Sequence, residues 1–328
     1  MRQFSYEQPA NTADALALAD APNTRYLGGG TNLVDLMKLG VEQPDLLVDV
    51  TSLLSRDITA QDGVLRIGAG ASNSDLAVHP TVRQSFPLLS QALLAGASGQ
   101  LRNVATVGGN LLQRTRCAYF QDVTKPCNKR QPGSACPARQ GDHRNLAILG
   151  GSEHCIATHP SDMAVALAAL GAVVHVETAR GPQQIALTDL YTDPGDRPDR
   201  ETVLAPGAII TAVQVPALSF GSVSRYVKVR ERASYAFAIG SVAAALDIDG
   251  GIVRDVRLAF GAVAPKPWRA SRAENALRGQ EPSEQNLKAA LAAELDQARP
   301  LRDNAYKVGL ITTITVRVLS DLAGETER

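Results

Sequence analysis

Aromatic side chains are scarce, with one Trp, seven Tyr and six Phe in 328 residues. So few leave little material for the stacked platforms that bind single-stranded nucleic acid. Neither sign of charge is in excess. The 33 Lys and Arg match the 33 Asp and Glu, so no overall field recruits nucleic acid or an anionic membrane. Long apolar runs are missing too: residues 163–174 are too few to span a bilayer, and residues 308–316 are stopped by Arg317. Residues 1–7 lack the apolar core and small-residue cleavage site of a secretory signal, so no export signal of the chain's own is expected. Cysteine is rare, and all four residues fall between Cys117 and Cys155. A chain this long, 45% hydrophobic, needs no disulfides to compensate for a small core. Their crowding favours a four-ligand metal site.

What the chain does have is glycine in two telling places. Residues 24–27 read as a strand running into Gly28-Gly29-Gly30-Thr31-Asn32, after which Leu33, Leu36, Met37 and Leu39 take helical spacing. A strand, a glycine turn and a helix start make an anion site, because backbone N–H groups can approach a phosphate closely. No Gly-Lys-Ser/Thr follows, and the spacing of a dinucleotide fingerprint is absent. A purely structural turn fits this stretch as well. Gly68 and Gly70 after the strand at 64–67 form a lesser version of the same pattern. A second small-residue stretch, 96–110, ends in the glycine turn Thr106-Val107-Gly108-Gly109-Asn110. It cannot fill a core, but it lets a planar ring or phosphate lie against bare backbone.

These segments together resemble the FAD-binding subunits and domains of the xanthine dehydrogenase, or molybdenum hydroxylase, family. LGGGTNLVDLMK and GQLRNVATVGGNLL resemble its two flavin loops, and THPSDMAVALAALGA the segment that follows them. The similarity continues through RYVKVRERASYAFAIGSVAAAL and VRLAFGAVAPKPWRA. The resemblance implies that Tyr26, Leu27, Gly28, Gly29, Gly30, Thr31, Asn32, Leu33 and Val34 hold the FAD pyrophosphate. It implies that Ala97, Thr106, Gly109 and Asn110 line the flavin and its phosphates, and that Asp162, Ile210 and Lys228 complete the pocket. Without the family, Lys228 reads equally well as a solvent-facing strand residue. No side chain stands out as an acid or base, so no catalytic residue is assigned.

Between Asn110 and Ser161 lies an insertion that most of the family lacks, expected at residues 111–158. Proline and glycine (Pro126, Pro132, Gly133, Pro137, Gly141) disfavour helix and strand through most of it. Its cysteines follow Cys-x9-Cys-x8-Cys-x18-Cys, with neither the close pairs of structural zinc nor the ferredoxin pattern. Arg114, Arg116, Lys125, Lys129, Arg130, Arg139 and Arg144 outnumber Asp122, Asp142 and Glu153. That basic surplus suits an anionic metal–thiolate group, cluster or zinc. The resemblance separates the two. CAYFQDVTKPCNKRQPGSACPA is similar to the flavin and iron–sulfur subunit of bacterial periplasmic-type aldehyde oxidoreductase, which implies a [4Fe–4S] cluster on Cys117, Cys127, Cys136 and Cys155. His143, His154 and His159 are read as ordinary loop residues.

The expected fold is α+β: a two-part, mixed α/β FAD-binding region followed by an antiparallel sheet with packed helices. Boundaries are drawn at 1–55, 56–217 (with the insertion) and 218–328. Residues 191–200 are a polar loop rich in Pro, Asp and Arg, read either as lying close to where the flavin would meet its electron partner or, preferably, as a solvated surface loop. The resemblance further implies an electron-transfer subunit of an aldehyde-oxidising heterotrimer, with a molybdenum-cofactor large subunit, a small subunit carrying two [2Fe–2S] clusters and an external electron acceptor. No nucleic acid and no membrane span are expected. Export to the periplasm bound to a partner, or residence in the cytoplasm, both fit. A hydroxybenzoyl-CoA reductase-like or xanthine dehydrogenase-like complex, a self-sufficient flavin reductase, and a zinc-stabilised binding module are the competing readings.

Overall fold

A computed structural model describes residues 1–326 of the chain. Three sheets organise it. The first is parallel, with β1 (Ser5–Glu7) and β2 (Thr24–Leu27) flanking β3 (Leu46–Asp49). Parallel neighbours require crossovers, supplied by the helices Thr12–Leu18 and Leu33–Lys38. Asn11 caps the first by accepting the Asp14 N–H at 2.9 Å.

The second sheet contains β4 (Ile58–Gln61), β5 (Val64–Gly68), β6 (Val173–Thr178), β7 (Gly181–Ala186) and β8 (Ile209–Pro216). It is antiparallel throughout, in the order β4-β5-β8-β6-β7. The third is an antiparallel meander of β9 (Ser224–Val229), β10 (Gly240–Asp249), β11 (Ile252–Gly261) and β12 (Trp268–Arg269), backed by the helices Glu284–Leu295 and Tyr306–Thr326. The expected α+β class is what folds.

Two large cores meet at the third sheet. Alternate residues of β10 point opposite ways: Ala243 and Ala245 join a core with the helices Pro87–Ala95 and Asp162–Ala169, whereas Val242, Ala244 and Leu246 join the C-terminal helices. A strand covered on both faces loses the alternation of a half-exposed one, which accounts for the run Val242-Ala243-Ala244-Ala245-Leu246. Each fully buried Val or Leu here contributes roughly 1.5–3 kcal/mol. The helix Asp162–Ala169 is buried at every position after Asp162, so its first residue is held rigidly.

The insertion has little regular structure, as its prolines and glycines predict: one turn of α-helix, Ala118–Gln121, and one of 3-10 helix, Pro137–Arg139. Hydrogen bonds replace regularity. At its base Ser161 Oγ donates to Asn110 Oδ1 at 2.5 Å, and one step further Thr115 Oγ1 donates to the Thr158 carbonyl at 2.9 Å. Its far side is bound by the C-terminal region. Arg299 N–H donates to the Ile148 carbonyl, Asn304 Nδ2 to Ala147, and Lys307 Nζ to the Asn145 and Ala262 carbonyls at 2.8 and 2.7 Å. Burial lowers the Lys307 pKa to about 7.

Candidate functional site

The first glycine loop lies against the second. A Cβ on Gly29 would sit 2.1 Å from the Val104 carbonyl oxygen, and one on Gly28 would sit 3.1 Å from Thr106 Oγ1. The loops are therefore in backbone contact, which only glycine permits at position 29. The second differs from the sequence expectation of a turn. It is the start of a short helix, Val107–Leu111, capped by Thr106 Oγ1, which accepts the Gly109 N–H at 3.1 Å. Ala97 adopts φ +52°, a left-handed conformation uncommon outside glycine. Gly29→Ala is expected to force the loops apart and to lower the chain's retained flavin severalfold, read as the ratio of visible to protein absorbance after gel filtration.

Behind the loops opens a cleft of about 910 Å³, at the upper end of the range for small-molecule and cofactor sites. Tyr26, Gly28, Gly29, Gly30, Thr31, Asn32, Leu33, Ala97, Thr106, Gly109, Asn110, Asp162, Ile210 and Lys228 all line it. Leu27 and Val34 do not. Their side chains pack beneath the loop, where a Cβ on Gly30 would meet both, so they support the turn rather than face the cleft. Tyr26 donates to the Gly207 carbonyl at 2.7 Å, and burial raises its pKa to about 12.

Asp162 and Lys228 meet on the cleft wall. Lys228 Nζ is 2.8 Å from Asp162 Oδ2 and donates at 3.1 Å to the Ala95 carbonyl; the side chains are 3% and 9% exposed respectively. The Tyr226 hydroxyl donates to Asp162 Oδ1 at 2.5 Å. Burial, then the neighbouring Asp162, pushes the Tyr226 pKa well above its usual value, so it stays a donor. Both carboxylate oxygens are engaged within the protein, which makes Asp162 the anchor that aims Lys228. Tyr226 carried no signal in the sequence beyond its alternation with Lys228.

Two further parts of the wall differ from expectation. His159, read as a loop residue, forms an edge-to-face contact with Tyr191, ring centroids 4.5 Å apart. Burial lowers its pKa to about 4 against the opposing pull of Glu201, so the ring is neutral near pH 7. Residues 191–200 are not simply a solvated loop: Tyr191 is buried and donates to the Leu111 carbonyl at 3.0 Å, and Thr192, Pro194, Asp199 and Arg200 line the cleft.

The four cysteines converge on a second, much smaller cavity next to the cleft, walled also by Tyr119, Phe120, Asn128, Lys129 and Ala157. Cys117, Cys127 and Cys155 are buried, Cys136 less so, and none is in a disulfide. Burial raises the Cys117 thiol to about 11 and raises Cys136 and Cys155, with Lys129 partly offsetting this at Cys155. Binding a metal here would therefore release protons. Among the described residues no group of three or more His, Cys, Asp or Glu is placed to hold a single ion. Of the histidines, His143 is buried and structural, with Nδ1 3.2 Å from the Ala138 carbonyl and Nε2 accepting the Asp303 N–H at 3.1 Å.

A half-buried ion network joins the two cavities. Glu201 accepts Arg114 Nε at 2.5 Å and Lys129 Nζ at 2.9 Å, and Arg114 also pairs with Glu42. Burial alone would raise Glu201, but Lys129 and Arg114 hold its pKa below the usual range. Arg114 lies over the Phe120 ring, 4.5 Å from its centre, and its backbone N–H donates to Asn32 Oδ1 at 2.8 Å. The sequence showed these basic residues but not the acids, 72 and 87 residues distant, that pair with Arg114.

Residues 2–218 match the family described as the FAD binding domain in molybdopterin dehydrogenase, and residues 225–322 match the CO dehydrogenase flavoprotein C-terminal domain. The chain is 48% identical to the aldehyde oxidoreductase FAD-binding subunit PaoB of Escherichia coli, with 98% of each chain covered. It is 27% identical to the glyceraldehyde dehydrogenase medium chain of Sulfolobus acidocaldarius, covering 98% of this chain and 99% of that one. In fold it resembles a chain of quinoline 2-oxidoreductase from Pseudomonas putida, with a TM-score of 0.75, 24% identity and coverage of 99% and 98%.

Proposed function

This chain belongs to the FAD-binding subunits of the molybdenum hydroxylase family, and we propose that it is the FAD and [4Fe–4S] electron-transfer subunit of a molybdenum-dependent aldehyde oxidoreductase. One observation carries the reading. The glycine loops and the four cysteines line adjoining cavities that share Lys129 and Ala157 as a common wall. With FAD and the cluster bound, the two groups would supply electron storage and one-electron transfer. The chain's own contribution is binding and environment. Tyr26 and residues 28–33 cradle the pyrophosphate, Ala97 and Thr106–Asn110 admit the flavin against backbone, and Lys228, aimed by Asp162 and Tyr226, places a cation on the wall. Cys117, Cys127, Cys136 and Cys155 are the ligand set. Four thiols around one cavity are the donor set that such a cluster takes.

Aldehydes as the substrate class, oxidised on a separate molybdenum subunit, rest on similarity to the aldehyde oxidoreductase subunit. A small [2Fe–2S] subunit as donor and an external acceptor complete the proposed heterotrimer. No described helix is long and apolar enough to cross a membrane, and export bound to a partner is the proposed route to the periplasm. Purified full-length chain is expected to show flavin bands over a broad iron–sulfur shoulder, and to contain iron without zinc. Zinc with no flavin, coupled to salt-sensitive nucleic-acid binding, would instead identify a binding module.

A further inference from the structure

Lys129 is one of two residues that line both cavities, and the only charged one among the described residues. Its side chain is 8% exposed and fixed at Nζ by the Pro198 carbonyl at 3.0 Å and Glu201 at 2.9 Å. Glu201 is itself held by Arg114, which reaches Glu42 and bonds to Asn32 of the first glycine loop. Water screens a charge so enclosed far less than one on the surface. Reduction at either cavity adds negative charge, and a fixed cation nearby stabilises that added charge. The lysine thus lies between the two cavities, tied to an acid from a distant segment of the chain.

Resting on the function proposed above, we propose that Lys129 is a potential-setting residue. Its ammonium raises the reduction potentials of the groups held in both cavities, and Glu201 is the positioning residue that fixes it and limits the rise. An electron held on one side thus meets the same cation as an electron held on the other, which couples the two sites.

The test is a spectroelectrochemical titration of the full-length chain, following flavin absorbance and the electron paramagnetic resonance signal of the reduced cluster. It compares wild type with Lys129→Met, Lys129→Arg and Glu201→Gln, after flavin and iron contents have been matched. Lys129→Met is expected to shift the cluster potential downward and the flavin potential in the same sense. Glu201→Gln should shift both upward, and Lys129→Arg should return them toward wild type. Opposite shifts from the two neutralising variants cannot arise from general loosening, which does not follow the sign of the charge removed. Unchanged potentials in Lys129→Met, or the same direction in both neutralising variants, would overturn the proposal. Should Lys129→Met fail to accumulate, Lys129→Gln and Glu201→Gln decide by the same signs. A wild-type chain with flavin and no iron would overturn the cluster reading and this coupling together; its iron content distinguishes that failure from the others.

Discussion

On the function proposed above, Cys155→Ser is expected to abolish iron binding and leave the flavin bound. The thiol is buried, and the Ala157 N–H donates to its sulfur at 3.5 Å, a bond that favours the thiolate. A serine hydroxyl in the same surroundings is a much poorer anion, because an alcohol is intrinsically far less acidic than a thiol and burial opposes its ionisation further. Loss of one of the four proposed ligands is therefore expected to cost cluster retention outright. The cleft should survive, since it is secured below the insertion by the Ser161–Asn110 bond and by the direct contact of the two glycine loops. Iron per chain should fall to near zero, with flavin absorbance close to that of wild type. A variant keeping wild-type iron would remove Cys155 from the ligand set.

Asp162→Ala should have the largest effect on stability. It leaves the Lys228 ammonium, 3% exposed, without its counter-charge, and the buried Tyr226 hydroxyl without an acceptor at 2.5 Å. Breaking one partner of a buried ion pair costs about 3–5 kcal/mol, because the remaining charge stays desolvated. Flavin retention should fall with it, as Lys228 loses its aim. The double variant Asp162→Asn with Lys228→Met separates the effects: removing both charges together should recover most of the stability but not the flavin. Urea titration of the full-length chain measures the first and absorbance the second. An Asp162→Ala variant no less stable than wild type would show that the pair does not hold the wall together.

Much of this was legible in advance where the physics is local. Glycine runs and alternating strands are set by neighbours in sequence, and fourteen of the sixteen expected cleft residues line it. Leu27 and Val34 fall outside because alternate side chains of a strand and the inner face of a helix point away from a loop's ligand side. What stayed hidden depends on distant pairing. Glu201 reads as one acid in a polar loop until Arg114 and Lys129 fold onto it, and His159 as a loop residue until Tyr191 closes over it. Neither pairing leaves a periodic trace.

The bonds from residues 299–307 to the insertion have a temporal consequence. The segment between Cys136 and Cys155 takes partners from Arg299, Asp303, Asn304 and Lys307, well over a hundred positions later in the chain. During synthesis all four thiols emerge from the ribosome before the residues that bring them into register. On the function proposed above, cluster insertion would therefore follow the synthesis of residues 299–307, since the loop that presents the thiols takes its shape from them.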